Sequence, residues 1–478
     1  MKIIGGILGC MVLFAILALA LGAGGCANIV NPTGGPRDSL PPRLVTASPD
    51  NGSRHFSGNR ITLTFDEFVE VKEKEKNIIV NPTPKSTPTI DYKLRVVTVK
   101  LRDSLEPNTT YSIHFGRAIR DVNEGNILKN FTYVFSTGGG IDSLRLSGRV
   151  VLAQTGKVDS TLIVVLHRSL ADSAVTNERP RYVTTLDSLG NFTFENLSPG
   201  IYRVYALKDE GNTRKYTSKS QLFAFADSPV DLRSGVQPLS LYAYAEEKES
   251  RPGAKKTGQQ PAPVQKLSDK DKRLQLQLNT TGTDFDILDT LSMQFVTPLK
   301  SFDSLKLHLS DEQFRPLVKY RLLWDSLRRK LTIFYPFAAD MRYHIVAEKD
   351  FAEDTLGRKL LKNDTISFHG KKESDYGEVR LRFRNLDLGR NPVLLFVQND
   401  AVKYAYPFHN REFQARLFRP GEYELRILYD DNKNGKWDPG EFYEKHRQPE
   451  KVFNVKILNS KHRFTVKANW DNDLDFSL

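Results

Sequence analysis

Ile61-Thr62-Leu63-Thr64-Phe65 decides the fold class, because apolar and polar side chains alternate along it. Successive side chains of a strand point to opposite faces, so a period of two buries one face and wets the other. Val96-Val97-Thr98-Val99-Lys100-Leu101 and Tyr111-Ser112-Ile113-His114-Phe115 follow the same rule. From Pro41 onward such runs, rich in β-branched and aromatic residues, return between turn signals at roughly 8–12-residue spacing, the pattern of β-sandwiches. Helical periodicity is scarce. The sequence predicts an all-β chain of tandem sandwich modules.

The alternation reappears far downstream in Leu291-Ser292-Met293-Gln294-Phe295, and more than one strand is repeated. Tyr111, Asp121, Gly125 and Phe135 precede Gly138, while Tyr343, Asp354, Gly357 and Phe368 precede Gly370; the Asp-to-Phe spacing is 14 residues in both. Pro199-Gly200-Ile201-Tyr202-Arg203-Val204 likewise matches Pro420-Gly421-Glu422-Tyr423-Glu424-Leu425, and each leads on to an Asp, Asp209 or Asp430. Between the halves, residues 246–272 are charged, contain Pro and Gln and carry almost no large apolar side chain, which reads as a linker. The expected order is A (41–140), B (141–245), linker (246–272), A′ (273–371) and B′ (372–478). At 478 residues the chain is too long for one ordinary core. Placed end to end, four modules would form a rod of roughly 100–150 Å, allowing ~35 Å each.

Residues 1–25 read as an export signal: Met1-Lys2, an apolar run from Ile3 to Leu21, then Gly22-Ala23-Gly24-Gly25 before Cys26. The apolar run approaches the ~20 residues that cross a bilayer, so an uncleaved span is the competing reading. Cys26, directly after the small residues, favours cleavage and acylation there, although Ala23 stands where a larger aliphatic residue is commoner. Residues 26–40 then form a Gly/Pro/Asn-rich tether. The expected location is the cell envelope, as an outer-membrane lipoprotein, with the periplasmic or surface face left open.

The two cysteines, Cys10 and Cys26, both lie in this segment, so no disulfide framework or cysteine zinc site exists downstream. The formal charge is +12, with Lys and Arg interleaved among Asp and Glu. Without an Arg-rich helix or an RNA-binding signature, this is a solvated mixed-charge surface and not a nucleic-acid footprint.

At these residues a family likeness emerges. Module A, from Pro42 through Ser48-Pro49-Asp50-Asn51-Gly52 and Phe65-Asp66-Glu67 to Phe135-Ser136-Thr137-Gly138, resembles bacterial Ig-like domains of S-layer type. A′ is a degenerate copy that lacks the Asp-Glu pair after Phe295. Module B is similar to prealbumin-like, carboxypeptidase-regulatory-type sandwiches through Leu146-Ser147-Gly148-Arg149-Val150, Asn191-Phe192-Thr193-Phe194 and Leu197-Ser198-Pro199-Gly200-Ile201-Tyr202. The resemblance implies spacer or binding roles and specifies fold better than function.

One motif is chemically pointed. Asp430, Asn432, Asn434, Asp438 and Glu441 stand at loop positions 1, 3, 5, 9 and 12 of an EF-hand-like calcium loop, with Gly435 at 6 and the Lys436 carbonyl at 7. That spacing converges oxygens on a hard cation. The flanks alternate like strands, however, so a metal-free Asn-Gly hairpin connection is the competing reading. Module B keeps Asp209 but replaces the other ligands with Gly211, Thr213, Arg214, Thr217 and Ser220. Any calcium affinity should be low, around 10⁻⁴–10⁻³ M, because Lys433 and Lys436 add repulsion.

Asp66 and Glu67 are adjacent on a strand-like run and point to opposite faces, which argues against a shared acid/base role. The nine histidines show no metal-ligand spacing, and His114 and His344 hold equivalent positions in A and A′. Trp324, Trp437 and Trp470 are the candidates for stacking on sugar rings. No nucleophile motif or phosphate loop is present, so no catalytic residue is assigned. The expected function is a non-catalytic, lipid-anchored envelope protein acting as a spacer or interaction module. The alternatives are a lipoprotein that binds polysaccharide or an outer-membrane transporter, and an enzyme of unrecognised type. The expected partners are the membrane, through the lipid, and an envelope protein or polysaccharide. Calcium is the one cofactor the sequence suggests.

Overall fold

The alternating runs form strands in the computed structural model, which describes residues 37–247, 273–457 and 463–478. The signal segment 1–25, Cys26, most of the tether and nearly all of the linker lie outside the described residues. Among the described residues no helix is long and apolar enough to cross a membrane. Two compact units divide the chain, the first ending at Ile141 and the second beginning at Asp142.

In the first unit Leu44–Ser48, Arg60–Phe65, Val96–Lys100 and Thr89–Lys93 pair in that order. Ile79–Asn81, Thr110–His114 and Thr132–Ser136 form a second sheet. Ile61, Leu63, Phe65, Val97 and Val99 from one sheet pack with Tyr111, Ile113, Phe115, Tyr133 and Phe135 from the other. The apolar letters of the alternation are thus the core, as the period of two requires.

A′ repeats this order with Leu276–Leu278, Leu291–Phe295, Lys330–Phe334 and Arg321–Trp324. The copies agree in detail. Tyr111 Oη accepts from Glu106 N at 2.9 Å and Tyr343 Oη from Ala338 N at 2.9 Å. His114 Nδ1 meets Thr132 Oγ1 at 2.9 Å, and His344 Nδ1 meets Ser367 Oγ at 2.8 Å. The two histidines therefore hold a repeated structural position.

B and B′ share a second topology. Leu144–Leu152 runs parallel to Leu239–Ala243, as Gly377–Arg384 does to Asp471–Ser477. Opposite lie Tyr182–Thr185, Leu162–His167, Ile201–Lys208 and Phe223–Phe225 in B, matched by Ala401–Pro407, Pro392–Gln398, Gly421–Tyr429 and Val452–Asn454 in B′. After each Pro-Gly turn a buried tyrosine bonds back four residues: Tyr202 Oη donates to Ser198 O at 3.0 Å and Tyr423 Oη to Arg419 O at 3.1 Å.

One expectation is corrected here. Within the second unit the modules are not strung end to end, because B docks directly on B′. Pro392–Gln398 is buried along nearly its whole length, as is Leu162–His167. Leu394 and Phe396 enter the B′ core, while Val393, Leu395 and Val397 form a separate buried cluster with Leu428 and Val452. A strand buried on both faces needs a partner on each. The backbone bond from Val452 N to Ala153 O, 3.2 Å, and the Lys157–Asp400 ion pair, 2.6 Å, cross this seam. A′ is fastened to B′ by Arg419, whose guanidinium binds Asp286 at 2.7 Å and Asp289 at 2.5 Å.

Candidate functional site

The strand Gly421–Tyr429 ends where the calcium-like turn begins. Asp430 is buried, and its carboxylate accepts from Asn434 N at 3.2 Å and from Gly435 N at 2.6 Å. Gly435 has φ 75°, a left-handed turn position that glycine adopts without a Cβ penalty. Asn432 Oδ1 and Asn434 Oδ1 accept from Asn434 N at 3.0 Å and Lys436 N at 2.7 Å. Both Asn side-chain nitrogens donate to Asp438 Oδ2, at 2.7 Å from Asn432 and 2.6 Å from Asn434.

Asp430, Asn432, Asn434 and Asp438 therefore lie within one bonded turn, with the Asn nitrogens and not their oxygens facing Asp438, and Glu441 does not join them. Its carboxylate pairs with Lys445 at 2.9 Å, and its backbone pairs with Arg447. The carboxylate that closes the turn is Glu450, which accepts from Asp431 N and Asp438 N, each at 2.9 Å. Trp437 Nε1 donates to Glu450 O at 2.8 Å, fixing that segment from the other side. Burial raises the Glu450 carboxyl above the ordinary range; the charges of Asp430 and Asp438 add to this, against the two backbone bonds. Sequence spacing missed Glu450 because the chain makes an excursion through residues 439–449 before returning to the turn.

Module B shows what the first position does by itself. Asp209 accepts from Thr213 N at 2.9 Å and Arg214 N at 3.0 Å, the same four- and five-residue offsets as at Asp430. Asp430 thus has a turn-closing role that the fold uses in both copies. Among the described residues no three His, Cys, Asp or Glu side chains are grouped as a metal site.

The excursion between Asp438 and Glu450 carries the second feature of the region. Phe442 is fully buried against module B, with ring centroids 5.7 Å from Tyr205, 5.0 Å from Phe223 and 5.1 Å from Phe225. Phe442 N donates to Glu246 Oε1 at 3.1 Å, Tyr443 Oη pairs with Thr176 Oγ1, and Gln448 Nε2 donates to Asp227 Oδ1 at 2.7 Å. The turn and this aromatic plug are one segment, so the candidate calcium loop also fastens B′ to B.

The remaining candidates lie away from this turn or pack within the modules. Asp66 Oδ1 accepts from Arg43 N at 2.8 Å. Burial, with the charges of Asp121, Asp66, Asp38 and Glu124, raises the Glu67 carboxyl. Burial also pushes the Asp121 carboxyl up, but the N–H groups of Glu124, Gly125 and Asn126 outweigh it and hold the group below the usual range. Asp354 is held down in the same way by Arg358. Trp324 packs on Phe295 and Phe302, and Trp437 packs on the seam cluster, whereas Trp470 is exposed beneath Lys467. A shallow groove of about 490 Å³ beside Arg382, Arg384 and Arg411 lies elsewhere on B′.

Residues 38–137 match the model of the bacterial Ig-like domain, which agrees with the resemblance read from module A. Solved structures to which this chain is similar include the TIE protein of Bacillus anthracis, at 11% identity over 93% of this chain and 75% of that one, TM-score 0.15. The N-terminal part of the bacterial S-layer protein SbsC is 16% identical over 36% and 42%, TM-score 0.16. BcpA, the major pilin subunit of Bacillus cereus, is 6% identical over 70% and 99%, TM-score 0.17. Overlap this low carries no functional argument. No curated protein matches the sequence.

Proposed function

We propose that this chain is a non-catalytic cell-envelope lipoprotein, anchored through an acylated Cys26, whose sandwiches act as a stiff spacer or interaction module in the outer membrane. The observation that carries the reading is how the buried carboxylates are used. Asp121, Asp354 and Asp430 each accept backbone N–H groups from their own loop and close turns. The docking of B on B′ supports stiffness, and the signal-like residues before Cys26 support the anchor. Mass spectrometry of the N-terminal peptide from expressing membranes tests the proposal: a diacylated or triacylated Cys26 as first residue is expected, and retention of residues 1–25 rejects it.

Calcium in the 430–450 turn is part of the same reading, with Glu450 in place of Glu441. Occupancy requires the Asn432 and Asn434 side chains to turn their oxygens toward Asp438, a rotation whose two orientations are hard to tell apart by shape. Millimolar calcium should then raise the melting temperature, and Asp438→Ala should remove the response; an identical melt in calcium and in chelator rejects the metal.

A further inference from the structure

We propose that the end of module A from which the chain runs back toward Cys26 rests on a zwitterionic bilayer surface through Phe68, Leu94 and Val122. This rests on the anchoring argued above.

Three loops meet at that end. Val69 N donates to Leu94 O at 2.9 Å, and Val122 N donates to Phe68 O at 3.1 Å, so the three residues are neighbours. Phe68 is 47% exposed, Leu94 64% and Val122 53%. The entering segment crosses the same end, where Asn126 Nδ2 donates to Asp38 O at 3.1 Å, and Leu40, two residues further on, is exposed as well. Single exposed apolar side chains are ordinary, but a contiguous group on adjoining loop tips marks a contact surface. Leu94 is the most telling member. It occupies the first position of the two-residue hairpin Leu94-Arg95 with φ 54°, where Asn or Gly is the residue that relieves strain. Here the chain keeps a bulky apolar side chain that is 64% exposed.

The position of this end selects the partner. Ten residues separate Cys26 from Arg37, a span of at most about 40 Å when fully extended. Arg37 lies at the apolar end, its guanidinium donating to Glu124 O at 3.4 Å. The chain leaves the module at the other end of the strands, where His55 N donates to Gly138 O. An acyl chain on Cys26 therefore holds the apolar end, and not the exit, within reach of the headgroups. Around the tip both signs of charge are present: Arg37 meets Glu124, Arg43 N donates to Asp66, Arg95 lies over the Phe68 ring beside Lys93 and Leu94, and Glu67 feels Asp66, Asp38 and Glu124. This mixed ring suits headgroups bearing both ammonium and phosphate better than a purely anionic surface. A′ displays a comparable trio, Val296, Leu327 and Leu356, at an end for which no anchor is argued, so the inference is made for module A alone.

The test uses the full chain recovered from membranes and placed in phosphatidylcholine–phosphatidylethanolamine vesicles. An environment-sensitive fluorophore is attached through Leu94→Cys, or through Asn59→Cys at the opposite end as control. The Leu94 label should shift to the blue and be quenched by spin-labelled lipid, whereas the Asn59 label should do neither. Adding Phe68→Ser and Val122→Ser should abolish the quenching. The N-terminal peptide mass, read on the same sample, separates two failures. Acylated Cys26 with a Leu94 label quenched only by aqueous iodide overturns the bilayer contact and spares the anchor. Unmodified Cys26 overturns both.

Discussion

Replacing Phe442 with alanine should loosen the second unit more than any other single change in the 430–450 segment. The ring is fully buried, and it is supplied by one module and received by another. Truncating a buried Phe to Ala typically costs about 3–5 kcal/mol, combining lost transfer energy with the cavity left behind. Three aromatic rings of module B within 6 Å place Phe442 toward the upper part of that range. Spread over a B–B′ pair of roughly 200 residues, such a loss lowers the melting temperature by roughly 6–20 °C. Calorimetry of the full chain, with hydrogen exchange at Tyr205 and Phe223, reads the effect. The expected result is an earlier transition and faster exchange at those strands, with module A unchanged. A Phe442→Ala chain that melts within a degree of the parent and exchanges identically would refute the plug.

Further outcomes follow from the same geometry. Glu450→Ala leaves the Asp431 and Asp438 N–H groups without their acceptor and should cost about 2–4 kcal/mol in a denaturant titration, whereas Glu441→Ala should leave the midpoint unmoved. His167 is buried with Nε2 unpaired, and burial, followed by the charge of Lys215, lowers its pKa to about 4. The unfolded chain takes up a proton near pH 6.5 that the folded chain refuses. The stability this residue contributes is therefore complete above pH 6.5 and is lost as pH falls toward 4, on the order of 3 kcal/mol in all. His167→Gln should flatten that slope in melts between pH 7 and 4; an unchanged slope contradicts the assignment. Arg419→Ala removes the ion pairs to Asp286 and Asp289 and should weaken the A′–B′ junction by about 2 kcal/mol, read as faster proteolysis near residue 372.

Much of the fold was legible because local pattern and burial agree. Ile61, Leu63 and Phe65 are buried as their alternation requires, and the paired Tyr111/Tyr343 and Tyr202/Tyr423 positions make the same bonds in both copies. The docking of B on B′ has a signature in the sequence that alternation alone does not capture. Pro392-Val393-Leu394-Leu395-Phe396-Val397 and Leu162-Ile163-Val164-Val165-Leu166 are continuous apolar runs, the mark of a strand covered on both faces. An end-to-end rod needs one face of each sheet to be wet. The candidate turn was only partly legible. Asp430, Asn432, Asn434 and Asp438 follow loop spacing because they act within one tight turn. Glu450 arrives after an excursion whose length is set by the reach of Phe442 into B, a tertiary constraint that no local spacing encodes.

Zero-length carbodiimide cross-linking tests the docked arrangement most directly, because it joins an amine and a carboxylate only where they already touch. Lys157 and Asp400, 2.6 Å apart across the seam, should yield a linked peptide pair within one chain. Lys306 and Asp350, 2.5 Å apart inside A′, serve as the positive control. Recovery of both pairs is the predicted result. Recovery of Lys306–Asp350 without Lys157–Asp400 would contradict the docking and return B and B′ to separate beads on a string.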